Sequence, residues 1–215
     1  MLHHDYVNER RGRGGNSTRI EICGGIASGK TTLATLMSKA GYETAFEHFK
    51  SNPFIQNFYS DPDLYSFETE ICFLLQHYSQ IKTTSLSSPI IVCDYSLYLD
   101  LSYAYVTLRR SHLSTFNTVY NTVTKEVGQP TLLVHLRCGA KAEMERIRLR
   151  QRPMEHSISI EYLERINSSL EGYVAQARKQ TKVIELDSEN LDFARESHVQ
   201  GHVVEVVINS LSGQT

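Results

Sequence analysis

The sequence has no tryptophan and contains only five prolines and four cysteines among its 215 residues. The cysteines, Cys23, Cys72, Cys93 and Cys138, include no C-x-x-C pair, so neither a zinc site nor a redox pair is indicated. We therefore expect free, buried thiols in a reducing cytoplasm. The nine histidines also lack the spacing of metal ligands, so a metal held by side chains alone is not expected.

Long apolar runs and an excess of one charge are missing as well. No apolar stretch reaches 18 residues, and the N-terminus lacks the apolar region of a secretory signal, so we expect no membrane span and a cytoplasmic location. The net charge of −2 argues against a general nucleic-acid binder, which is usually strongly basic. Hydrophobic content of 40% and charged content of 21% are typical of a soluble globular protein.

Strand-like apolar runs alternate with helical patterns from residue 19 onward. Strands are predicted at about 19–23, 42–46, 90–94, 131–136 and 182–186. Helices are predicted at about 30–40, 54–59, 61–84, 98–108, 114–126, 140–150, 160–178 and 199–211. This alternation predicts an α/β fold in which a parallel sheet is covered by helices on both faces. Residues 1–17 are expected to form a disordered tail, and 18–215 a single domain.

Some local features refine the helix predictions. Gly41 is well placed to end the first helix, and Ser159 is a candidate N-cap of the helix over 160–178. The helix that begins at Asp61-Pro62 has proline at its first position, where the missing N–H costs nothing. Its apolar side chains predict a largely buried helix: Tyr65, Ile71, Phe73, Leu74, Leu75 and Tyr78.

The stretch from Arg19 to Leu33 contains the most specific motif. Gly24, Gly29, Lys30 and Thr31 fit the phosphate-binding pattern G-x-x-x-x-G-K-[ST], between a predicted strand and a predicted helix. Glycines let backbone N–H groups close around phosphate oxygens, and the helix N-terminus adds a positive dipole end. Lys30 can reach the β- and γ-phosphates, and the Thr31 hydroxyl can bind Mg²⁺. The predicted site for ATP and Mg²⁺ comprises Gly24, Gly25, Ile26, Ala27, Ser28, Gly29, Lys30, Thr31 and Thr32.

Two further features fit a phosphoryl-transfer site. Asp94 ends a predicted strand, where an open α/β sheet places its ligands, and it could hold Mg²⁺ opposite Thr31. Arg146, Arg150 and Arg152 form a basic cluster that could clamp a transferring phosphoryl group and close over ATP as a lid near 146–156. The alternatives are a helix N-cap or stray acid for Asp94, and a solvated basic helix end for the arginines.

With these residues in view, the chain resembles the deoxyribonucleoside kinase family from about residue 19 to 187. The segment Phe46-Glu47-His48 resembles the Glu-Pro element that follows the family's second strand. The resemblance implies the P-loop kinase fold, with a five-stranded parallel sheet. It also implies that Glu47 is the general base for the sugar 5′-hydroxyl, and a carboxylate within hydrogen-bond reach can take that proton.

The resemblance extends to residues that bind the nucleoside. It matches Asn52-Pro53, 58–62, 65–67, 94–100 and 162–164 to family segments. The implied roles are hydrogen bonds from Tyr59 and Glu155 to the sugar 3′-hydroxyl, and contacts of Glu70 and Asp100 with the base. Lys30, Arg146 and Arg150 are implied to assist catalysis, with Arg150 and Arg152 also contacting ATP. Family members are commonly dimers, so the resemblance implies a homodimer.

Three departures from the family pattern concern the acceptor. The arginine of the acidic-Arg-Ser motif is Tyr95, which removes a cation near the 5′-hydroxyl, and the proline after the base is His48. The helix glutamine that reads the nucleobase is Glu70. An ionised carboxylate only accepts hydrogen bonds, and the Watson–Crick edge of guanine presents two neighbouring donors. We therefore expect a purine with that edge.

Two other functions stay open from sequence alone. The acceptor could be a nucleoside monophosphate or an unrelated small alcohol; a monophosphate would need cations at its site, and Lys50 could contribute one. The protein could also be a nucleotide-binding sensor, as the loss of the motif arginine suggests. A GTPase switch is disfavoured because the Asn-Lys-x-Asp guanine motif is absent.

Overall fold

The protein is described here from a computed structural model that covers residues 18–84 and 88–211. The strands are β1 Thr18–Cys23, β2 Glu43–Ala45, β3 Ile90–Cys93, β4 Leu132–Arg137 and β5 Lys182–Asp187. The helices are α1 Lys30–Lys39, α2 Ile55–Ser60, α3 Pro62–Thr84, α4 Leu97–Thr107, α5 Arg110–Val127, α6 Ala140–Arg150, α7 Ile160–Ala177 and α8 Ser197–Asn209. Short 3₁₀ turns cover Phe49–Ser51 and Pro153–Glu155. The predicted tail at 1–17 lies outside the described residues.

The five strands form one parallel sheet in the order β2-β3-β1-β4-β5. The central strand β1 pairs with β3 on one side and β4 on the other, so the strand order reverses beside its carboxyl end. In open α/β sheets, ligands bind outside the carboxyl ends of the strands at such a reversal. The phosphate motif follows β1 directly, which puts it at this position.

Helices cover both faces of the sheet, as the sequence predicts. On one face, Ile20 and Ile22 of β1 pack with residues of α1 and α8, including Leu33 and Val203. On the other face, one buried cluster joins β3 to α3, α4 and α5, and another joins β4 to α7. These apolar clusters, buried on both sides of the strands, account for the continuous hydrophobic runs of the sequence.

Helix α3 differs from the prediction of an apolar buried helix. Leu75 is 45% exposed and Leu64 is 62% exposed, whereas Leu74 is fully buried. Much of the buried face is polar instead: Ser66, Thr69, Glu70 and His77 are each no more than 4% exposed. Burying polar side chains is costly unless they find partners, so this face indicates a binding site rather than core.

Other differences are small and local. Helix α5 begins at Arg110 rather than near 114, because its first turn is polar and exposed and carries no apolar period. Cys23 and Cys93 are buried and free as expected, but Cys72 and Cys138 are only half-buried. The Ser159 hydroxyl accepts a hydrogen bond from the Tyr162 N–H at 3.2 Å, which confirms the predicted N-cap. None of the described helices is long and apolar enough to cross a bilayer.

Candidate active site

A cavity of about 800 Å³ opens at the carboxyl ends of the strands. Most of the predicted site residues line it: Ile26, Ala27, Gly29, Lys30, Thr31, Thr32, Glu47, Tyr59, Glu70, Asp100, Arg146, Arg150, Arg152 and Glu155. The remaining predicted residues, Gly24, Gly25, Ser28 and Asp94, are buried behind this lining. Lys50, considered above as an acceptor-site cation, is exposed and is not among the lining residues.

The phosphate loop has the conformation its motif requires. Gly29 is the N-cap of α1 and adopts a left-handed backbone with φ of 106°, which glycine tolerates and other residues rarely adopt. The Lys30 ammonium donates hydrogen bonds to the Gly24 and Gly25 carbonyl oxygens, both at 2.9 Å. The lysine therefore folds back along the loop, beside the place where phosphate oxygens would be bound.

Gly25 is closely surrounded by two side chains. A Cβ built on it would overlap the Glu143 and Asn167 side chains. Glu143 is fully buried and accepts a hydrogen bond from Asn167 at 3.0 Å, and burial raises the pKa of its carboxyl to about 7. Arg146 holds the far side of the loop, donating to the Ala27 carbonyl at 3.3 Å and the Ser28 carbonyl at 3.4 Å. Glu143 and Asn167 therefore pack against one side of the loop, and Arg146 is hydrogen-bonded to its backbone on another.

Asp94 and Thr31 offer oxygen ligands for a hard cation. Asp94 follows β3, is 2% exposed, and its backbone N–H donates to the Ala45 carbonyl of β2 at 2.9 Å. Burial raises the pKa of Asp94 to about 7, against the opposing effects of Lys30 and the Thr31 hydroxyl. Its Oδ1 atom is buried without a hydrogen-bond partner. An orphaned carboxylate oxygen beside a hydroxyl fits the oxygen ligands that Mg²⁺ prefers.

A second group of possible metal ligands lies elsewhere. Within 18–84 and 88–211, His135, Glu171 and Glu185 approach one another closely enough to share an ion. Arg178 and Arg137 already pair with Glu185, the latter at 3.8 Å, so the carboxylate charge is compensated. Its residues belong to β4, α7 and β5, both carboxylates are exposed, and none of the three lines the cavity.

Glu47 lies just beyond β2 and reaches the cavity. Its side chain is 33% exposed, and its Oε1 atom is 3.5 Å from Nε2 of His77. Burial works to raise the pKa of the carboxyl, but His77, Lys30 and Arg152 outweigh it and hold the pKa below the usual range. Glu47 is therefore ionised and open to the cavity, which is the state a proton acceptor needs.

Two of the predicted lid arginines are hydrogen-bonded to Glu155, which is predicted to bind the sugar. Arg150 donates two hydrogen bonds of 2.6 Å to the two carboxylate oxygens of Glu155, and Arg152 donates a longer one of 3.4 Å. Arg152 also lies over the Phe49 ring, 4.8 Å from its centroid. Tyr59 also lines the cavity. Burial raises the pKa of its phenol, and the negative charge of Glu155 raises it further. The bidentate pair fixes Glu155 near Tyr59.

Glu70 on α3 and Asp100 on α4 both line the cavity. Glu70 is 4% exposed and accepts a hydrogen bond from the Thr107 hydroxyl at 3.1 Å. Burial and the neighbouring Asp100 raise the pKa of Glu70 to about 8. At neutral pH its carboxyl group is therefore mainly protonated, which differs from the ionised form assumed from the sequence. A protonated acid both donates and accepts, as the family's glutamine does.

The sequence reasoning missed His77 and Tyr103, and it matched Tyr162 to a family segment without giving it a role in the site; all three line the cavity. His77 is 2% exposed and its ring contacts both Asp100 and Glu47. A signal was present, because Glu70 and His77 are seven residues apart and two helical turns bring them to one face. The histidine could have been found by placing Glu70 on a helix and reading along that face.

This strand order, with a phosphate loop after the first strand and a carboxylate-lined cavity beside it, defines a P-loop kinase of small molecules. Comparison with known proteins identifies the family. The deoxynucleoside kinase family model matches residues 20–212, so the chain belongs to that family. It is accordingly an ATP-dependent enzyme of nucleotide salvage that phosphorylates the 5′-hydroxyl of a nucleoside.

Relatives in other organisms agree with this assignment. The chain is 29% identical over 201 residues to deoxyguanosine kinase of Bacillus subtilis (strain 168), covering 88% of this chain and 97% of the relative. It is 30% identical over 177 residues to deoxyadenosine kinase of Dictyostelium discoideum, covering 79% and 72%. A structure of M. mycoides deoxyadenosine kinase with the products dCMP and dCDP superposes with a TM-score of 0.77 at 26% identity, covering 91% and 99%.

Proposed function

We propose that this kinase acts on a purine deoxynucleoside, with Glu47 as the general base and with Mg²⁺ bound by Thr31 and Asp94. The observation that carries the proposal is that Glu47, Lys30 and Asp100 line one cavity, which is open enough to admit a small acceptor. Glu47 would accept the proton of the 5′-hydroxyl as that oxygen attacks the γ-phosphorus of ATP, and ADP would leave.

The donor side of the reaction falls to the phosphate loop. Loop N–H groups and Lys30 would bind the phosphates, with the lysine exchanging its bonds to the Gly24 and Gly25 carbonyls for bonds to phosphate oxygens. When bound, Mg²⁺ would offset the negative charge of the phosphate oxygens. The unpartnered Oδ1 atom of Asp94 supports a cation at this point. Chelation of Mg²⁺ with excess EDTA should abolish turnover, and added MgCl₂ should restore it.

The lid, near 146–156, would complete the donor side. Arg146 already reaches the loop carbonyls, and Arg150 and Arg152 project from the end of α6 and the turn after it. We propose that Arg146 and Arg150 offset charge on the transferring group and that Arg150 and Arg152 contact ATP. Gln151, with a left-handed φ of 49°, ends α6 between these arginines and lets the chain turn.

The sugar would be held by Tyr59 and Glu155. Both line the cavity, and the hydrogen bonds from Arg150 keep the Glu155 carboxylate oriented. A phenol and a carboxylate together supply a donor and acceptors for one 3′-hydroxyl. Because Arg150 serves the Glu155 carboxylate as well, sugar binding and lid position are expected to be linked.

The base would contact Glu70 and Asp100. A protonated Glu70 offers one donor and one acceptor, which suits the amino group and ring nitrogen of adenine. An ionised Glu70 offers acceptors only, which suits the two neighbouring donors of guanine. Names of relatives support a purine, since the matched curated proteins include deoxyguanosine and deoxyadenosine kinases.

A panel of four deoxynucleosides with ATP tests the proposed acceptor. We expect kcat/KM to be highest for deoxyguanosine or deoxyadenosine, and the ratio of deoxyguanosine to deoxyadenosine to rise as pH passes about 8, where Glu70 ionises. In the Glu70→Gln control, that pH dependence should disappear, because an amide does not titrate. A clear preference for thymidine or deoxycytidine would contradict the proposal. The homodimer and the cytoplasmic location stay predictions.

A further inference from the structure

His77 occupies a central position that the phosphate motif and the family pattern do not explain. It projects from α3, is 2% exposed, and its Nδ1 atom is 3.0 and 2.9 Å from the two carboxylate oxygens of Asp100. On the other side of the ring, Nε2 is 3.5 Å from Oε1 of Glu47. One imidazole therefore bridges the proposed general base and the proposed base-contacting aspartate.

The groups around the ring make it a cation. Burial alone would lower the pKa of His77, but the Asp100 and Glu47 carboxylates outweigh burial and raise it to about 10. Glu70, on the same face of α3, adds a further acidic group nearby, and its pKa is in turn affected by His77. A protonated imidazole has two N–H donors. The one on Nδ1 meets Asp100, whereas Nε2 makes no hydrogen bond and faces the Glu47 carboxylate at 3.5 Å as an ion pair.

Tyr95 explains how the cation is held. Its ring is stacked on the His77 ring, with centroids 3.9 Å apart and planes inclined by 7°. Tyr95 is 1% exposed, and its hydroxyl approaches the His77 carbonyl at 3.5 Å. An aromatic face attracts a cation, and burial strengthens that attraction. Tyr95, which lies between β3 and α4, is also the residue that stands where the family pattern has an arginine. This tyrosine therefore stacks on a positive charge that comes from α3.

We propose that His77 supplies, from α3, the positive charge that Tyr95 cannot, and that it positions Glu47 and Asp100 for catalysis. This inference rests on the proposed role of Glu47 as general base. Without the imidazolium, Glu47 and Asp100 would face each other with no cation between them, and like charges would push the Glu47 carboxylate away from its working position. His77 is thus a positioning residue that acts through the two carboxylates.

The first test removes the charge but keeps the ring. In His77→Phe, we expect kcat to fall about 10- to 100-fold, a part of the ~10²–10⁴ that a general base contributes, with KM for ATP unchanged. The matched control is His112→Phe, the same substitution at an exposed histidine that does not line the cavity. That control should leave kcat unchanged. His77→Gln, which retains a polar side chain, provides a second neutral variant where His77→Phe does not fold.

The second test restores the charge. His77→Arg keeps a cation in the same place and should retain most of kcat, whereas His77→Gln should not. Tyr95→Arg combined with His77→Phe moves the cation to the position of the family arginine and should recover activity lost by His77→Phe alone. If neither arginine variant is more active than the matching neutral variant, positive charge is not what His77 contributes, and the inference is wrong.

A double-mutant cycle separates positioning from a general loss of folded enzyme. Because His77 acts through Glu47, His77→Phe should cost little further kcat in a Glu47→Gln background. If the fold-losses in kcat of the two single variants multiply in the double variant, the two residues act independently, and the inference is wrong. If Glu47→Gln alone leaves kcat unchanged, Glu47 is not the general base, and the proposed action of His77 through Glu47 fails with it. If Glu47→Gln lowers kcat while His77→Phe does not, only the proposed positioning role of His77 is wrong.

Discussion

The two halves of the cavity are built in different ways. The donor half, Gly24–Thr32, is one continuous stretch, and its shape is set by backbone conformation and by tight packing at Gly25 and Gly29. The acceptor half, Glu47, Glu70, His77 and Asp100, comes from a strand end and two helices. Its members meet only when the chain folds, and side-chain charge rather than backbone shape sets its chemistry.

The halves also differ in how much change they can accept. In the donor half, backbone N–H groups bind phosphate, so the residue types are fixed by steric limits. In the acceptor half, we expect that a buried group can be exchanged if another restores the charge balance, as we propose for His77 beside Tyr95. The predictions below test this contrast, from the largest expected effect to the smallest.

The largest effect is expected for Glu47→Gln. Losing a general base should lower kcat by ~10²–10⁴, while KM for ATP stays the same because the phosphate loop is untouched. The matched control is Glu43→Gln, an exposed position within β2, which should have full activity. Steady-state assays with deoxyguanosine and ATP measure both constants. An unchanged kcat for Glu47→Gln would mean that Glu47 is not the general base.

A somewhat smaller effect is expected in the donor half for Lys30→Ala. Removing one preorganised charge at a transferring phosphoryl group typically costs about 10²–10³ in kcat, and here KM for ATP should rise as well. Lys39→Ala, an exposed lysine in the last turn of the same helix, is the control. If Lys30→Ala raised KM for the nucleoside instead of that for ATP, the division of the cavity into two halves would be wrong.

Gly25→Ala should destabilise the protein because the added methyl group overlaps Glu143 and Asn167. Overpacking of this kind costs about 1–3 kcal/mol, and the displaced loop should bind ATP more weakly. Gly172→Ala is the control: nothing lies within 4 Å of its added Cβ, and alanine in a helix should instead stabilise by roughly 0.5–1 kcal/mol. Urea unfolding of both variants measures the contrast. Equal stabilities would show that the loop is not tightly packed.

The smallest change concerns the pH dependence of stability in the acceptor half. The folded protein raises the pKa of Glu70 from an ordinary 4.5 to about 8, so it binds a proton that the unfolded chain releases. Glu70 therefore stabilises fully below about pH 4.5, and that contribution is lost as the pH rises toward 8. Asp94 and Glu143, with pKa values raised to about 7, act with the same sign.

Glu70→Gln isolates the contribution of this one carboxyl group. Its free energy of unfolding should fall less between pH 5 and 8 than that of the wild type, by about 1 kcal/mol or more, since one pKa unit corresponds to about 1.4 kcal/mol. Glu68→Gln, an exposed position on the same helix, should follow the wild type. Parallel curves for Glu70→Gln and the wild type would mean that Glu70 does not gain a proton on folding.

The same contrast explains how much the sequence could predict. The strand-loop-helix at 18–39 was predictable because its pattern is local, and the five-stranded parallel sheet followed from the alternation of elements. The start of α5 was missed because a polar, exposed turn carries no apolar period. The exposure of Leu75 was not predictable from its hydrophobicity, because the cavity, not the core, determines which face of α3 is buried.

Of the acceptor residues, Glu47, Glu70 and Asp100 were found only through family resemblance and His77 was missed. Their electrostatics could not be predicted. The pKa of Glu70 depends on burial and on Asp100, which is 30 residues away in the chain, and the stacking of His77 on Tyr95 joins α3 to the end of β3. Such properties arise from tertiary contacts between distant segments. No pattern within α3 alone specifies them, although the seven-residue spacing of Glu70 and His77 places both on one face.

The most direct test of the account is a crystal structure of the enzyme with deoxyguanosine, ADP and Mg²⁺. We predict that the 5′-hydroxyl lies within about 2.6–3.2 Å of the Glu47 carboxylate and faces the phosphate loop, with the base against Glu70 and Asp100. A nucleoside bound with its 5′-hydroxyl directed away from Glu47, or bound outside this cavity, would contradict the account.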